Sequence, residues 1–212
     1  MERDVTVGFR GKHGVMVGFG GKQAWLAVRD VAPAQIIEAL GLRELGEAPW
    51  RDGIDLAHLT DDRVAVTPAL PGARGTSWVL VVGRWLLRPG TTVDVTGLSG
   101  RLRTEVQFFA THRVTESHRW QRAVRGEPVR AFGYVGQTGA VTSWHGDPDP
   151  AERAAGLPAA LDDDTTILVS EKDVLAVADA WSVDPAALTG RPAPGPLRIG
   201  AADDRETACA ST

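Results

Sequence analysis

The chain is poor in cysteine and in long apolar runs. Its only cysteine is Cys209, so no disulfide can form within the chain and no zinc site can rest on thiolates. No apolar run approaches the roughly 18 residues that a transmembrane helix needs, and the N-terminus lacks the basic and apolar segments of a secretory signal. These absences predict a cytoplasmic protein that does not span a membrane.

The chain also lacks an excess of basic charge. It has 23 Lys and Arg residues against 27 Asp and Glu residues, which gives a formal net charge of −4. A dedicated nucleic-acid-binding protein usually shows a basic face or a basic domain, and here arginines cluster only locally, between residues 101 and 130. Nucleic acid is therefore not expected as the main partner. The preference for Arg over Lys, together with abundant Ala and Gly, indicates a bacterial chain.

Motifs that would identify a cofactor or a metal are missing. The segment Gly18–Lys22 has the glycines of a phosphate-binding loop, but Met16 stands where its first glycine belongs and Gln23 where Ser or Thr should follow the lysine. The acidic run at 162–164 lacks the ligand spacing of a calcium loop, and no G-x-S-x-G sequence occurs. We expect no cofactor and no metal ion.

The length of 212 residues fits one domain with tails better than two domains. Residues 1–22 are rich in glycine and hold a short repeat, so they are predicted to form a mobile N-terminal segment. Residues 23–188 are predicted to form a single α+β domain. Residues 189–212 are rich in Pro, Gly and Ala without periodicity, which predicts a disordered tail.

Periodicity and turn residues locate most of the other elements. Strands are predicted at residues 25–28, 63–67 and 77–83, and the last of these is a continuous apolar run typical of a strand covered on both faces. Helices are predicted at residues 33–40, after the N-cap Asp149, and after the N-cap Ser170. Residues 44–62 are acidic and rich in turn residues, which predicts a surface loop with a single helical turn.

Four successive strands form the most informative stretch. They are predicted at residues 105–113, 117–125, 129–136 and 140–145, and the segments between the later strands carry turn residues. An antiparallel meander follows from this spacing. The predicted fold class is α+β, with an antiparallel β-sheet in which a meander of about four strands is joined by two or three more, and with short helices packed from both ends of the chain.

His112, Glu116 and His118 form the best candidate for acid-base chemistry. If residues 114–116 make a three-residue hairpin loop, His112 lies directly across from His118 with Cβ atoms about 5 Å apart. That distance would let the two rings share a proton or an ion. The alternative is a hydrogen-bonded, half-buried His112 beside a solvated strand end that holds Glu116 and His118.

A row of arginine and aromatic side chains is the second candidate. Strand parity puts Trp120 and Arg122 on one face, with Arg130, Phe132 and Tyr134 sharing a face of the next strand. Arg, Trp and Tyr are favoured anchors at protein interfaces. This set, the Arg/aromatic row, is predicted to bind a protein partner or a small molecule. In the alternative, the arginine stems cover the edges of aromatic core residues.

Two functions remain open on these residues. The first is a non-catalytic binding or protein-interaction module of accessory, regulatory or immunity type that uses the Arg/aromatic row. The second is a small-molecule enzyme of cyclase, isomerase or lyase type. It would use His112, Glu116 or His118 as acid and base in a sheet-lined pocket, with Arg130 holding an anion.

Overall fold

A computed structural model describes residues 14–88, 93–162 and 167–202. Within them the strands are β1 (Ala24–Arg29), β2 (Arg43–Ala48), β3 (Arg63–Val66), β4 (Leu70–Pro71), β5 (Ser77–Val82), β6 (Glu105–His112), β7 (Ser117–Val124), β8 (Glu127–Val135), β9 (Ala140–His145) and β10 (Leu197–Ala201). The α-helices are α1 (Pro33–Ala39), α2 (Trp50–Leu59), α3 (Val95–Leu102), α4 (Pro150–Ala154) and α5 (Glu171–Trp181). A 3₁₀ turn at Arg84–Leu87 follows β5.

All of these strands belong to one open antiparallel sheet. Its order is β2-β10-β3-β5-β1-β6-β7-β8-β9, and the short β4 pairs with β5 beside this path. The predicted α+β class and antiparallel sheet are confirmed. Strands β6 to β9 form the predicted meander, because each pairs with the next along the chain.

Helices cover both faces of the sheet, and each face has its own core. On the first, which we call the tryptophan face, the sheet contributes Trp25, Trp78, Phe109, Trp120 and Phe132, and helices α2, α4 and α5 pack against them. On the second, the aliphatic face, the sheet contributes Leu26, Val64, Val79, Val81, Val106 and Phe108, covered by α1, α3 and the turn at Arg84–Leu87. Strand β5 supplies both cores in alternation, as its apolar sequence predicts.

Both predicted N-caps begin helices. The Asp149 carboxylate accepts hydrogen bonds from the backbone N–H groups of Ala151 and Glu152, and the Glu152 carboxylate accepts one from the Asp149 N–H in return. At α5 the Asp173 carboxylate accepts from the Ser170 N–H at 2.8 Å. These reciprocal bonds satisfy backbone groups that the first helical turn leaves without partners.

The segment 44–62 differs from its prediction as a loop, since it contains most of β2 and the whole of α2. Strand β2 lies at the sheet edge and is almost wholly exposed, so its sequence has no apolar alternation to reveal it. Helix α2 buries Trp50, Ile54 and Ala57, which are too few apolar residues to stand out among its charges.

The structure also differs from the prediction at both ends of the domain. Strand β10, in the segment predicted to be a disordered tail, lies between β2 and β3 in the sheet interior. Met16 and Phe19, in the segment predicted to be mobile, are buried in the core of the tryptophan face. The expected mobility of residues 1–13 and disorder of residues 203–212 fall outside the described residues.

The two ends hold each other in place. The Met16 N–H donates to the Arg191 carbonyl at 2.8 Å, and the Gly190 N–H donates to the Met16 carbonyl at 3.0 Å. Gly18 approaches Thr189 so closely that a Cβ at Gly18 would lie 2.3 Å from the Thr189 Oγ1. Side chains of both segments are thus part of the core, which Pro- and Gly-rich composition alone does not reveal.

Truncating Phe19 tests this packing. Phe19→Ala should lower the free energy of unfolding by about 3–5 kcal/mol, because it removes a buried ring and leaves a cavity in the core of the tryptophan face. Urea denaturation followed by tryptophan fluorescence measures the change. Val15→Ala, at a side chain that is 59% exposed, is the matched control and should change stability by less than about 0.5 kcal/mol. Equal stability of the two variants would contradict the packing of this segment.

Candidate functional site

Four of the five side chains of the Arg/aromatic row are buried in the core, and the fifth, Arg122, is half-buried. Trp120 and Phe132 are fully buried, and Tyr134 and Arg130 are 5% and 3% exposed. Strand parity is as predicted, because Trp120 pairs with Phe132 and His118 with Tyr134 on the tryptophan face. Helices α4 and α5 cover that face. The four buried side chains cannot contact a partner while the helices stay in place.

Arg130 is held by a buried ion pair. Its Nε donates to the Glu152 carboxylate at 2.7 Å, and Glu152 is fully buried. Its Nη1 donates to the carbonyls of His145 and Gly146 at 2.9 and 3.0 Å. The guanidinium carbon also lies 4.4 Å from the centre of the Trp144 ring. The charge of Arg130 is therefore used within the fold, which fits a structural role and leaves the predicted anion clamp without support.

Arg122 is paired in the same way, with Glu105 as its partner. The Arg122 Nε lies 2.7 Å from the Glu105 carboxylate, and the contact is an ion pair rather than a well-directed hydrogen bond. Glu105 is 4% exposed and also accepts a hydrogen bond from the Gln107 amide at 2.8 Å. Each of the two arginines in the row thus neutralises a buried carboxylate.

Removing one member of the Arg130–Glu152 pair should lower the free energy of unfolding more than replacing both members with apolar residues. Glu152→Ala should lower the free energy of unfolding by about 3–5 kcal/mol, because it leaves a buried guanidinium without its carboxylate. The double variant Arg130→Met, Glu152→Leu should lose less than Glu152→Ala alone. Urea denaturation of Arg130→Met, of Glu152→Leu and of the double variant that carries both gives the coupling energy.

The exposed pair Arg113–Glu171 provides the control for this cycle. Its arginine is 62% exposed, so Arg113→Ala should cost no more than about 1 kcal/mol. Additive losses at Arg130 and Glu152 would show that the pair is not coupled.

The three candidate acid-base residues do not share a site. The loop between β6 and β7 has four residues, Arg113 to Glu116, so His112 pairs with Ser117, and His118 pairs with Thr111. A one-residue change of register puts the two histidines on opposite faces of the sheet. The expected three-residue loop is one residue too short: the turn begins at Arg113 and ends at Glu116, which has the left-handed φ of 48°.

Each of the two rings makes a different local contact. The exposed His112 has its Nδ1 3.0 Å from the Thr115 hydroxyl. The His118 ring is buried on the tryptophan face, with its Nδ1 3.0 Å from the Thr111 hydroxyl. Among the described residues, no group of three or more His, Cys, Asp and Glu side chains is placed to hold a metal ion.

Burial lowers the pKa of His118 below its usual 6.5, and the nearby carboxylates Glu171, Asp173 and Glu116 only partly oppose the shift. The folded protein therefore holds this ring neutral at a pH where the unfolded chain binds a proton. His118 therefore does not reduce the free energy of unfolding above pH 6.5. As the pH falls from 6.5 to the lowered pKa, the free energy of unfolding decreases.

The loss of stability on acidification should depend on His118. Thermal unfolding between pH 7.5 and 5.5 should show a smaller fall in Tm for His118→Gln than for the unaltered protein, because glutamine can bond Thr111 but does not titrate there. His112→Gln, at the exposed ring, should keep the unaltered pH dependence. A fall in Tm that is the same in all three proteins would rule out His118 as its source.

Arg119 belongs to the arginine cluster between residues 101 and 130, and the structure places it on the face of the sheet opposite the Arg/aromatic row. Arg119 lies on the aliphatic face of β7, between Ala110 of β6 and Gly133 of β8. Its guanidinium carbon is 5.1 Å from the centre of the Phe108 ring, and its Nε is buried without a hydrogen-bond partner. Burial lowers its pKa. No carboxylate of the described residues lies within ion-pair distance of it.

The surroundings of Arg119 are small, polar and partly open to solvent. Gln121 and Ser143 are half-buried beside it, and His145 is exposed at the end of β9. Helix α3 packs at the other end of these strands, where the Ser99 hydroxyl accepts a hydrogen bond from the Gly126 N–H. We call Arg119, Gln121, Ser143 and His145, with Gly133 between them, the Arg119 surface. The signal that could have found it is strand parity, which sets Arg119 apart from Arg122.

Comparisons with protein-family models, with curated proteins and with solved structures find no match to this chain. None of the helices within the described residues is both long enough and apolar enough to cross a membrane. The function must therefore be argued from the residues themselves.

Proposed function

We propose that the protein is a non-catalytic protein-interaction module whose partner binds at the Arg119 surface. The observation that carries this proposal is Arg119 itself, a half-buried guanidinium that has an aromatic ring below it and no carboxylate beside it. The Arg/aromatic row, which the sequence favoured as the binding face, supports the fold from within.

Energetics favour an external partner for Arg119. Taking a charged group out of water costs free energy unless a counter-charge or hydrogen bonds replace the lost solvation. Arg122 and Arg130 on the tryptophan face meet this condition through Glu105 and Glu152. Arg119 does not meet it within the described residues. A carboxylate or carbonyl group of a bound protein would supply the missing contacts, and arginine is among the residues that dominate binding energy at interfaces.

The shape of the surface favours a protein over a small substrate. The neighbours of Arg119 across the sheet are Ala110 and Gly133, which place little side-chain bulk beside the guanidinium. Small-molecule sites are usually concave and enclose their ligand, whereas a sheet face with short side chains suits a broad contact.

The enzyme alternative gains no support from the arrangement of its residues. His112 is exposed, His118 is buried on the other face of the sheet, and Glu116 lies in the turn between them. Acid-base catalysis needs the two groups within reach of one substrate. We therefore place the protein among accessory, regulatory or immunity-type binding modules and, from its composition, in the bacterial cytoplasm.

A comparison of two arginine variants tests the proposal. The unaltered protein and Arg153→Glu, which changes an exposed arginine of α4, should retain the same partner in affinity capture, and Arg119→Glu should lose it. With the purified partner, Arg119→Glu should weaken the Kd at least about tenfold, since a central arginine at an interface contributes upward of about 1.4 kcal/mol. Equal affinity of both variants for that partner would exclude the Arg119 surface.

The stability of Arg119→Met separates a binding role from a structural one. Methionine keeps the packing on Phe108 and removes the unpaired charge, so the free energy of unfolding should stay within about 1 kcal/mol of the unaltered protein or rise above it. A residue retained for binding behaves in this way. A clear loss of stability in urea denaturation would show that Arg119 serves the fold.

A further inference from the structure

One end of the sheet concentrates arginine on a chain whose formal net charge is −4. At this end β1 stops, β5 and β6 start, and a two-residue turn joins β7 to β8. We call the five arginines there the arginine corner: Arg29, Arg74, Arg103, Arg122 and Arg125. Arg125 lies six residues along the chain from Arg119, roughly 20 Å at the rise of a strand, so the corner is separate from the Arg119 surface.

Hydrogen bonds hold three of these arginines side by side. The Thr104 hydroxyl donates to the Arg29 carbonyl at 2.9 Å, and the Arg125 N–H donates to the Thr104 carbonyl at 3.0 Å. Arg103 directly precedes Thr104 in the chain. These three arginines therefore occupy neighbouring strand ends, and their backbones lie within about 10 Å of one another at an interstrand spacing of about 4.8 Å.

A single buried carboxylate serves the other side of the corner. Glu105 is 4% exposed, and its carboxylate lies 2.7 Å from the Arg122 guanidinium. The guanidinium groups of Arg29 and Arg74 are each 3.8 Å from the same carboxylate. Arg29 also pairs with Asp30 at 3.2 Å. Three positive charges thus share one buried negative charge, and the corner keeps an excess of positive charge.

Arg103 and Arg125 are exposed and take the left-handed backbone conformation, with φ of 53° and 52°. Arg103 ends α3, and Arg125 forms the turn between β7 and β8 together with Gly126, whose φ is 89°. Glycine and asparagine are the residues that such positions favour. Within the described residues no carboxylate lies at ion-pair distance from either guanidinium. Neither backbone preference nor an internal ion pair therefore accounts for arginine at these two positions.

The spread of the guanidinium groups favours an extended acidic segment over a small anion. One small anion can reach few groups that are distributed over about 10 Å. In an extended peptide, the side chains on one side repeat about every 7 Å, so neighbouring carboxylates can meet Arg29, Arg103 and Arg125 together. Arginine forms paired, charge-assisted hydrogen bonds with carboxylates. Bound carboxylates would also relieve the repulsion among the arginines.

Nucleic acid fits the corner less well than an acidic peptide does. The aromatic rings beside the corner, Trp78 and Trp181, are buried and cannot stack on a base. Five arginines with Asp30 and Glu105 give the corner a charge of +3, and a total of −4 therefore leaves −7 for the remainder of the chain. That remainder would repel a long phosphate backbone that runs past the corner.

We propose that the arginine corner binds a short acidic segment of a protein, a run of Asp and Glu residues in extended conformation. Its carboxylates accept hydrogen bonds from the unpaired Arg103 and Arg125 and from Arg29, whose side chain is 39% exposed. This contact goes beyond the Arg119 surface and does not depend on it.

Fluorescence anisotropy with a labelled hexaglutamate peptide tests the corner in the full chain. At a salt concentration of about 0.1 M, charges more than about 10 Å away are largely screened. The double variant Arg103→Asn, Arg125→Asn should weaken the Kd at least about fivefold, because two charge-assisted contacts are lost. Asparagine suits the left-handed backbone, and asparagine before Gly126 is favoured in this turn, so the variant should keep its fold.

A second double variant, Arg51→Asn with Arg153→Asn, is the matched control. It removes the same charge from exposed positions of α2 and α4 and should leave the Kd of hexaglutamate unchanged. Equal losses in the two double variants would show only general attraction by net charge and would refute the site. Absence of binding at millimolar protein would refute it as well. Labelled hexathymidylate is the nucleic-acid probe, and binding as tight as that of hexaglutamate would overturn the choice of an acidic peptide.

Discussion

The buried carboxylate of Glu152 is the contact on which the arrangement of helices and sheet depends. One of its oxygens accepts from the Trp120 indole at 2.6 Å and from Arg130 at 2.7 Å, and the other accepts from the Asp149 N–H at 3.0 Å. Asp149 in turn accepts from the Trp181 indole at 2.6 Å. Helices α4 and α5 are thereby linked to β7 and β8 through charged groups, and unpaired charged groups would be costly where they are buried.

This contact also decides which face of β7 and β8 is covered by α4 and α5. Glu152 needs Arg130 and Trp120 on the tryptophan face, and it brings α4 over them. The same strands must then present their other side chains, Arg119 among them, to the opposite face. Over β7 to β9 that face carries Arg119, Gln121, Ser143 and His145, and among the described residues α3 packs at the end near Gly126. Side chains alternate between the two faces along each strand. The alternation that buries Arg130 on the tryptophan face therefore also places Arg119 on the opposite face.

The sequence predicts which side chains of the meander share a face. It does not predict which of the two faces the helices α4 and α5 cover. Parity places Trp120 with Arg122 and Arg130 with Phe132, as the pairing shows. It does not say which side the helices take, because that depends on Glu152, whose position three residues after the N-cap Asp149 indicates only a capping role. The β6–β7 loop was misjudged by one residue, and a single residue moves His112 to the other face. Strands β2 and β10 were missed because an exposed edge strand and a short strand within a Pro- and Gly-rich segment lack the length and alternation that periodicity detects.

The sheet edges explain further why recognition should use a face. Both edge strands are bulged: Leu45 is the extra residue of β2 opposite Ile199 and Gly200, and Thr142 is the extra residue of β9 opposite Gly133 and Tyr134. A bulge bends the strand and interrupts the row of backbone groups that another strand would need. Strand β2 adds Arg43, Glu44 and Glu47 to this protection. A partner strand would find neither edge regular enough to extend the sheet. The partner proposed above would therefore make side-chain contacts on the Arg119 surface and would not add a strand to the sheet.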